Sequence, residues 1–187
     1  MIALLVVGGL VVIFLLMWWT SYNRLVRLDT NRENAFADID VQLKQRHDLI
    51  PQLVSTVKGY AKHEDKVLTQ VTQARNAAMS AGTVNEKIAA EAALAGAMSQ
   101  FSLQMEAYPD LKANSNFMQL QNEMSDIENK LAAVRRYFNS ATKEMNAYVQ
   151  KFPSVIFAKI HKYSEEPYFD LGVVEREALD EAPKVEF

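Results

Sequence analysis

The chain has no cysteine, which excludes disulfides and thiolate metal sites outright. Histidine is scarce, and it is poorly placed for metal binding. The residues three positions before His47, His63 and His161 are Lys44, Tyr60 and Ala158, so the Glu-x-x-His pairs of dimetal helical bundles are missing. His63-Glu64 is not continued by a second histidine at the zincin spacing. No glycine loop suited to cradling phosphate occurs, and no strand-like alternation or hairpin turn either. Charge of one sign is also thin. The net charge is −3, but residues 164–187 carry eight acidic and two basic side chains, which leaves the preceding part at +3. That is no footprint for nucleic acid, which needs a clustered basic face. These lacks predict no cofactor, no metal and no catalytic constellation.

What the chain does have is periodicity. Phe117, Leu120, Met124, Ile127, Leu131, Val134, Phe138, Ala141, Met145, Tyr148 and Phe152 alternate spacings of three and four without interruption. A seven-residue repeat sustained in this way marks a helix whose narrow stripe packs against other helices. At ~1.5 Å per residue such a helix is roughly 50 Å long, so the expectation is a rod.

The other long pattern is apolar. Residues 2–19 contain no charged or strongly polar side chain, enough at the short end to span a hydrocarbon core of ~30 Å. Trp18, Trp19 and Tyr22 close the run, where amphipathic rings suit a membrane interface. A cleavable signal would want a basic start and small residues before the cut. Here Met1 leads straight into the run and Met17-Trp18-Trp19 ends it, so an uncleaved anchor over residues 1–21 is expected. Arg24, Arg27 and Arg32 follow it, and the positive-inside bias places the C-terminal part in the cytoplasm and the N-terminus outside.

Between these patterns, residues 22–80 read as helix with a seam at Leu25, Leu28, Ala35, Ile39, Leu43, Ile50, Leu53, Val57, Tyr60, Val67, Val71 and Ala74. Pro51 predicts a kink or break near Leu49–Pro51, and Gly59 is a weaker flaw. Thr83-Val84-Asn85-Glu86 is a capping box that opens a helix running to Ala107, with Leu94, Met98, Phe101 and Met105 on one face. Tyr108-Pro109-Asp110 stops it, and Asn114, Ser115 and Asn116 offer N-caps for the heptad helix, which ends at Phe152-Pro153. Residues 154–163 can form a short helix, and the acidic end from 164 to 187 is expected to be irregular unless a partner orders it. Short loops make helical neighbours antiparallel. The predicted fold is therefore all-α: a single N-terminal transmembrane helix plus an elongated antiparallel up-and-down bundle of three to four helices over residues 22–163.

Polar residues that share the packing faces are the candidate contacts. Arg46 falls on the seam of the first helix, Arg135, Arg136 and Asn139 flank that of the last, and Asp38, Asp40, Glu123 and Glu128 are available to pair with them. Such pairs rarely add net stability but can fix register and partner choice. Membrane-interface residues would be Trp18, Trp19, Tyr22, Arg24 and Arg27.

Several blocks resemble the LemA family of bacterial membrane-associated proteins. They are Asp38-Ile39-Asp40-Val41-Gln42-Leu43-Lys44 into Arg46-His47-Asp48-Leu49-Ile50-Pro51, then Thr56-Val57-Lys58-Gly59-Tyr60-Ala61, His63 and Glu64. A second group comprises Ala113-Asn114 to Phe117, Leu120-Gln121, Glu128-Asn129 and Arg135-Arg136-Tyr137-Phe138-Asn139, closing at Phe152-Pro153, with an echo in Pro167-Tyr168-Phe169-Asp170. The resemblance covers the anchor and nearly all of the helical region, with the tail after Leu171 outside it. It implies a single-span anchor, a short outer N-terminus and a cytoplasmic helical bundle, and no established activity. Phe138 departs from it where tyrosine is expected, removing a hydroxyl.

Three functions compete. The leading one is a non-enzymatic membrane scaffold that self-assembles as a homo-oligomer through bundle and anchor, with the lipid bilayer as its other partner. The alternative is an adaptor recruiting a cytoplasmic or membrane protein through a helical face or the acidic tail. The third, an enzyme or small-molecule sensor, would centre on Arg46, His47, Arg135 and Asn139.

Overall fold

In the computed structural model, which describes residues 1–60 and 65–169, helix α1 runs from Ile2 to Lys58 and continues through Pro51. The break anticipated there does not occur. Proline has no amide to offer the carbonyl four residues earlier, and its ring crowds that carbonyl. The carbonyl belongs to His47, and Arg75 supplies the donor in place of the missing amide: its Nε donates to the His47 oxygen at 2.6 Å. The helix ends instead before Gly59, where the Tyr60 amide donates to the Val57 carbonyl in a final tight turn.

The remaining elements are α2 (Asp65–Ser80), α3 (Val84–Met105), α4 (Pro109–Lys112), α5 (Ser115–Gln150) and α6 (Ser154–Ile160). Among the described residues there is no strand. The fold is an all-α bundle, with four long helices and two short ones among the described residues. His63 and Glu64, and the tail from residue 170, lie outside the described residues.

The helix boundaries follow local chemistry. Thr83 Oγ1 accepts from the Glu86 amide at 3.2 Å, and Glu86 Oε2 accepts from the amides of Thr83 and Gly82 at 2.9 and 3.0 Å, so the capping box is complete. Those amides hold the Glu86 carboxyl below its usual value, the Thr83 amide contributing most. Asn114 caps α5, its Oδ1 accepting from the Phe117 amide at 3.1 Å. At the other end of α5 the Ser154 hydroxyl lies 2.6 Å from the Tyr148 carbonyl, one of the last-turn carbonyls that a helix leaves without an amide donor, and 2.8 Å from that of Lys151, which also accepts from the Val155 amide.

The heptad seam of α5 is buried or half-buried from Phe117 through Tyr148, but Phe152 is 82% exposed. Toward the C-terminal end Thr142, Asn146 and Val149 become buried, each one residue past the strict repeat. A helix of 3.6 residues per turn drifts ~20° per heptad, so about one residue over five heptads. The buried face advances by that amount, and Phe152 lies past the end of α5 in the turn before Pro153, where it is exposed. On α1 and α2 the predicted seam is inside except for Tyr60, which is exposed and accepts a hydrogen bond from Asn114 Nδ2 at 2.8 Å.

By contacts the chain divides into two units, with the divisions falling inside α1 and α5. One comprises residues 1–41 with 131–168. Its interior joins Leu25, Leu28, Met145, Val149 and Ala158, lined by Tyr148 and Tyr163, and Phe36 packs on Phe138 with ring centroids 5.6 Å apart. The other comprises residues 42–130 with Phe169. Its core draws Ile50, Leu53 and Val57 from α1, Leu68 and Val71 from α2, and Leu94, Phe101 and Met105 from α3. Leu111 of α4 and Phe117 and Met124 of α5 complete it.

Candidate functional site

In the unit of residues 42–130, two seam positions carry charge. Arg46 continues the three-and-four spacing of Leu43, Ile50, Leu53 and Val57 on α1. Glu91 sits three residues before Leu94 on the corresponding face of α3. Both are 2% exposed, so neither charge is hydrated, and they meet. Arg46 Nη1 donates to Glu91 Oε2 at 3.2 Å. His47 Nε2 is 2.7 Å from Glu91 Oε1. Glu128 of α5 completes the group at its partly exposed rim: its Oε1 lies 3.0 Å from Arg46 Nε. The N–H does not point along that line, so this is an ionic contact and not an aligned hydrogen bond.

The arrangement is chemically quiet. Both Glu91 oxygens are engaged by donors, which makes it a poor proton acceptor for an incoming substrate. Among the described residues no group of three or more His, Asp or Glu side chains is disposed to hold a metal ion. What the cluster does is tie α1, α3 and α5 together at one level. Buried ion pairs of this kind add little net stability over an apolar core, yet removing one member leaves an uncompensated charge and costs about 3–5 kcal/mol. Arg75, donating to the His47 backbone from α2, brings the fourth helix to the same place.

Of the seven residues predicted as register or partner contacts, the structure joins Arg46 and Glu128 here. Asp38, Asp40, Arg135, Arg136 and Asn139 belong to the other unit. There Asp38 and Arg136 are exposed, and Asp40, Arg135 and Asn139 are half-buried. Glu123 is exposed and accepts from Gln119 Nε2 at 2.9 Å. Sequence reasoning missed Glu91, though its seam spacing was there to be read, and Arg75, for which the signal was the amide that Pro51 lacks.

The unit of residues 1–41 and 131–168 carries the membrane-interface candidates. The first seventeen residues of the chain are exposed, and the run has the length and composition of a membrane-crossing helix. Trp18 is half-buried between Phe14, Phe157 and His161, with ring centroids 5.8–5.9 Å apart, and Tyr22 lies 4.8 Å from His161. Trp19 is exposed. Arg24 stacks over the Tyr148 ring at 4.9 Å and stands 3.7 Å from Glu144, an exposed pair of small energetic weight. Arg27 is exposed.

The same unit also holds part of the segment expected to be irregular. Residues 164–168 have no regular secondary structure, but they are tied down. Asn146 Nδ2 donates to the Glu166 carbonyl at 2.9 Å, and the Glu166 amide donates back to Asn146 Oδ1 at 2.8 Å. The Glu166 carboxylate pairs with Arg32 at 3.0 Å, and the Arg32 guanidinium lies 5.2 Å from the Phe138 ring. Burial pushes the Tyr163 phenol above its usual value, and Asp29, Tyr22 and Glu33 add to the effect.

The LemA family model matches residues 35–187, over three quarters of the sequence. The chain belongs to the LemA family. The match starts beyond the anchor and continues through the tail, so its reach differs at both ends from that read off the sequence blocks. "Protein LemA" of Metamycoplasma hominis is 24% identical over 170 residues, which span 90% of this chain and 77% of that protein. Neither that name nor the family's description states an activity.

Proposed function

We propose that this LemA-family chain is a non-enzymatic, membrane-anchored helical scaffold that self-assembles through its anchor and its bundle. The reading places the helical region on the cytoplasmic side of a bacterial plasma membrane and the N-terminus outside. The observation that carries it is the bare apolar surface of α1. From Ile2 to Leu16 every large side chain is exposed, and a methyl group added at Gly8 or Gly9 would meet nothing within 4 Å. So much uncovered apolar surface needs lipid or further copies against it. Leu103, Met118 and Met79 add exposed apolar side chains on α3, α5 and α2, available to neighbouring copies. The ionic cluster supports a register-setting role over a catalytic one, since both Glu91 oxygens are already engaged by Arg46 and His47.

The test is crosslinking in native membranes combined with particle mass in mild detergent. Defined particles of several 21 kDa chains are expected; monomer in both experiments overturns self-assembly. Because the chain has no cysteine, a single cysteine replacing Ile2 reports orientation: a membrane-impermeant thiol reagent should label it in intact cells.

A further inference from the structure

We infer that α6 is a second membrane contact, an interfacial helix that lies in the headgroup layer beside the anchor and holds anionic lipid. This deepens the anchored reading and rests on it. Phe14 lies five residues inside the end of the apolar run, about 7–8 Å below it along a helix. Phe157, at the middle of α6, packs on Phe14 with centroids 5.9 Å apart and on Trp18 at 5.8 Å. A ring in contact with a residue of the span sits at the hydrocarbon boundary, and it brings α6 there with it.

The rest of α6 is composed for that position. Phe157 and Ala158 face inward, while Ile156 and Ile160, one turn apart on another face, are half exposed, and Phe152 is almost fully exposed. In water three large apolar side chains on so short a stretch are uncovered; at an interface they sit in the upper acyl region, at the depth of about 5–10 Å usual for interfacial helices. Lys151, Lys159 and Lys162 are all exposed, and residues 151–163 contain no acidic side chain. Cations at headgroup height attract anionic lipid, and their alkyl stems extend along the apolar surface. Next to them, Leu15, Trp18, Trp19, Tyr22 and His161 line an open apolar cleft of about 520 Å³, room for a stretch of acyl chain.

The experiment uses the full chain, whose lack of cysteine allows one labelled position at a time. Ile156→Cys, Ile160→Cys, Val7→Cys and Tyr137→Cys are each labelled with an environment-sensitive fluorophore and reconstituted into vesicles. The lipid is phosphatidylcholine with phosphatidylglycerol, brominated in the acyl chains. The labels at positions 7, 156 and 160 should lose at least about half their emission and that at 137 little. Lys151→Glu, Lys159→Glu and Lys162→Glu together should cut quenching at 156 severalfold while leaving it intact at position 7. Quenching at 7 without quenching at 156 and 160 overturns the interfacial helix and leaves the anchor standing. Its absence at position 7 overturns the anchor and the inference together. Copy-to-copy crosslinking through the thiol of the Ile156→Cys variant, with no lipid quenching, would assign this face to self-association, which also overturns it. Equal quenching at 156 in pure phosphatidylcholine and after charge reversal would overturn the anionic-lipid part.

Discussion

The two units are built from the same two long helices, yet their interiors are unlike. Residues 42–130 enclose an aliphatic and aromatic core from five helices with an Arg–Glu–His cluster set within it. Residues 1–41 with 131–168 join Leu25, Leu28, Met145, Val149 and Ala158 in one buried cluster and bury Ile39, Leu131 and Phe138 as well, with an aromatic group around Trp18 and seventeen exposed residues at the N-terminal end. The first buries charge and pairs it within the chain, Arg46 and His47 against Glu91. The second keeps a large apolar surface for something outside the chain. The lesson is that charge at a seam position is met by charge from another helix of the chain, while the apolar run with no seam has the length and composition of a membrane-crossing helix.

The sharpest break in this contrast is Glu91→Ala. It strands Arg46 and His47 in the core and should cost about 3–5 kcal/mol, measured by denaturant titration of the full chain in detergent. Replacing Arg46, His47 and Glu91 together by apolar residues of similar volume should recover most of that loss. A single substitution as harmless as the triple one would remove the idea that the cluster is a matched set.

Next in size is Arg75→Ala, which leaves the His47 carbonyl without its donor and should cost about 1–3 kcal/mol. Pro51→Ala restores an amide at that place, so in the Pro51→Ala background the same change should cost much less. An additive double-mutant cycle would refute the substitution of guanidinium for amide.

In the other unit, Asn146→Ala should cost about 1–2 kcal/mol, because both bonds to the Glu166 backbone are lost. Hydrogen exchange should show the Glu166 amide losing protection, with the 42–130 unit unaffected. Smallest is the pH response of the α3 cap. The folded Glu86 carboxyl lies below its ordinary 4.5, so its contribution is complete above that value and fades as pH falls through the lowered one. Glu86→Gln should flatten that part of the stability profile, and an unchanged acid slope would show that the cap carries no weight.

Helix boundaries were legible wherever a side chain caps its own neighbourhood: Thr83 with Glu86, and Asn114 with Phe117. The seams were legible because periodicity is local. What escaped reading depends on another helix. Pro51 looks like a stop until Arg75, on the next helix, is placed against it. Phe152 fits a seven-residue repeat, but α5 ends at Gln150, so the helix does not carry Phe152 onto its buried face. Glu91 resembles one more surface glutamate among alanines until Arg46 and His47 fix its place. Of the candidate site, Arg46 and Glu128 could be named from α1 and α5 alone, since each lies on or beside a seam.

The guanidinium at the Pro51 step has an implication for how the chain comes into being. As α1 leaves the ribosome it has a loose joint at that carbonyl, because no later residue of its own can splint it. The donor arrives when α2 folds back and Arg75 docks, so the helical path through Pro51 is completed by the assembled unit. A truncation at residue 60 should therefore bend at position 47, however helical its two arms remain.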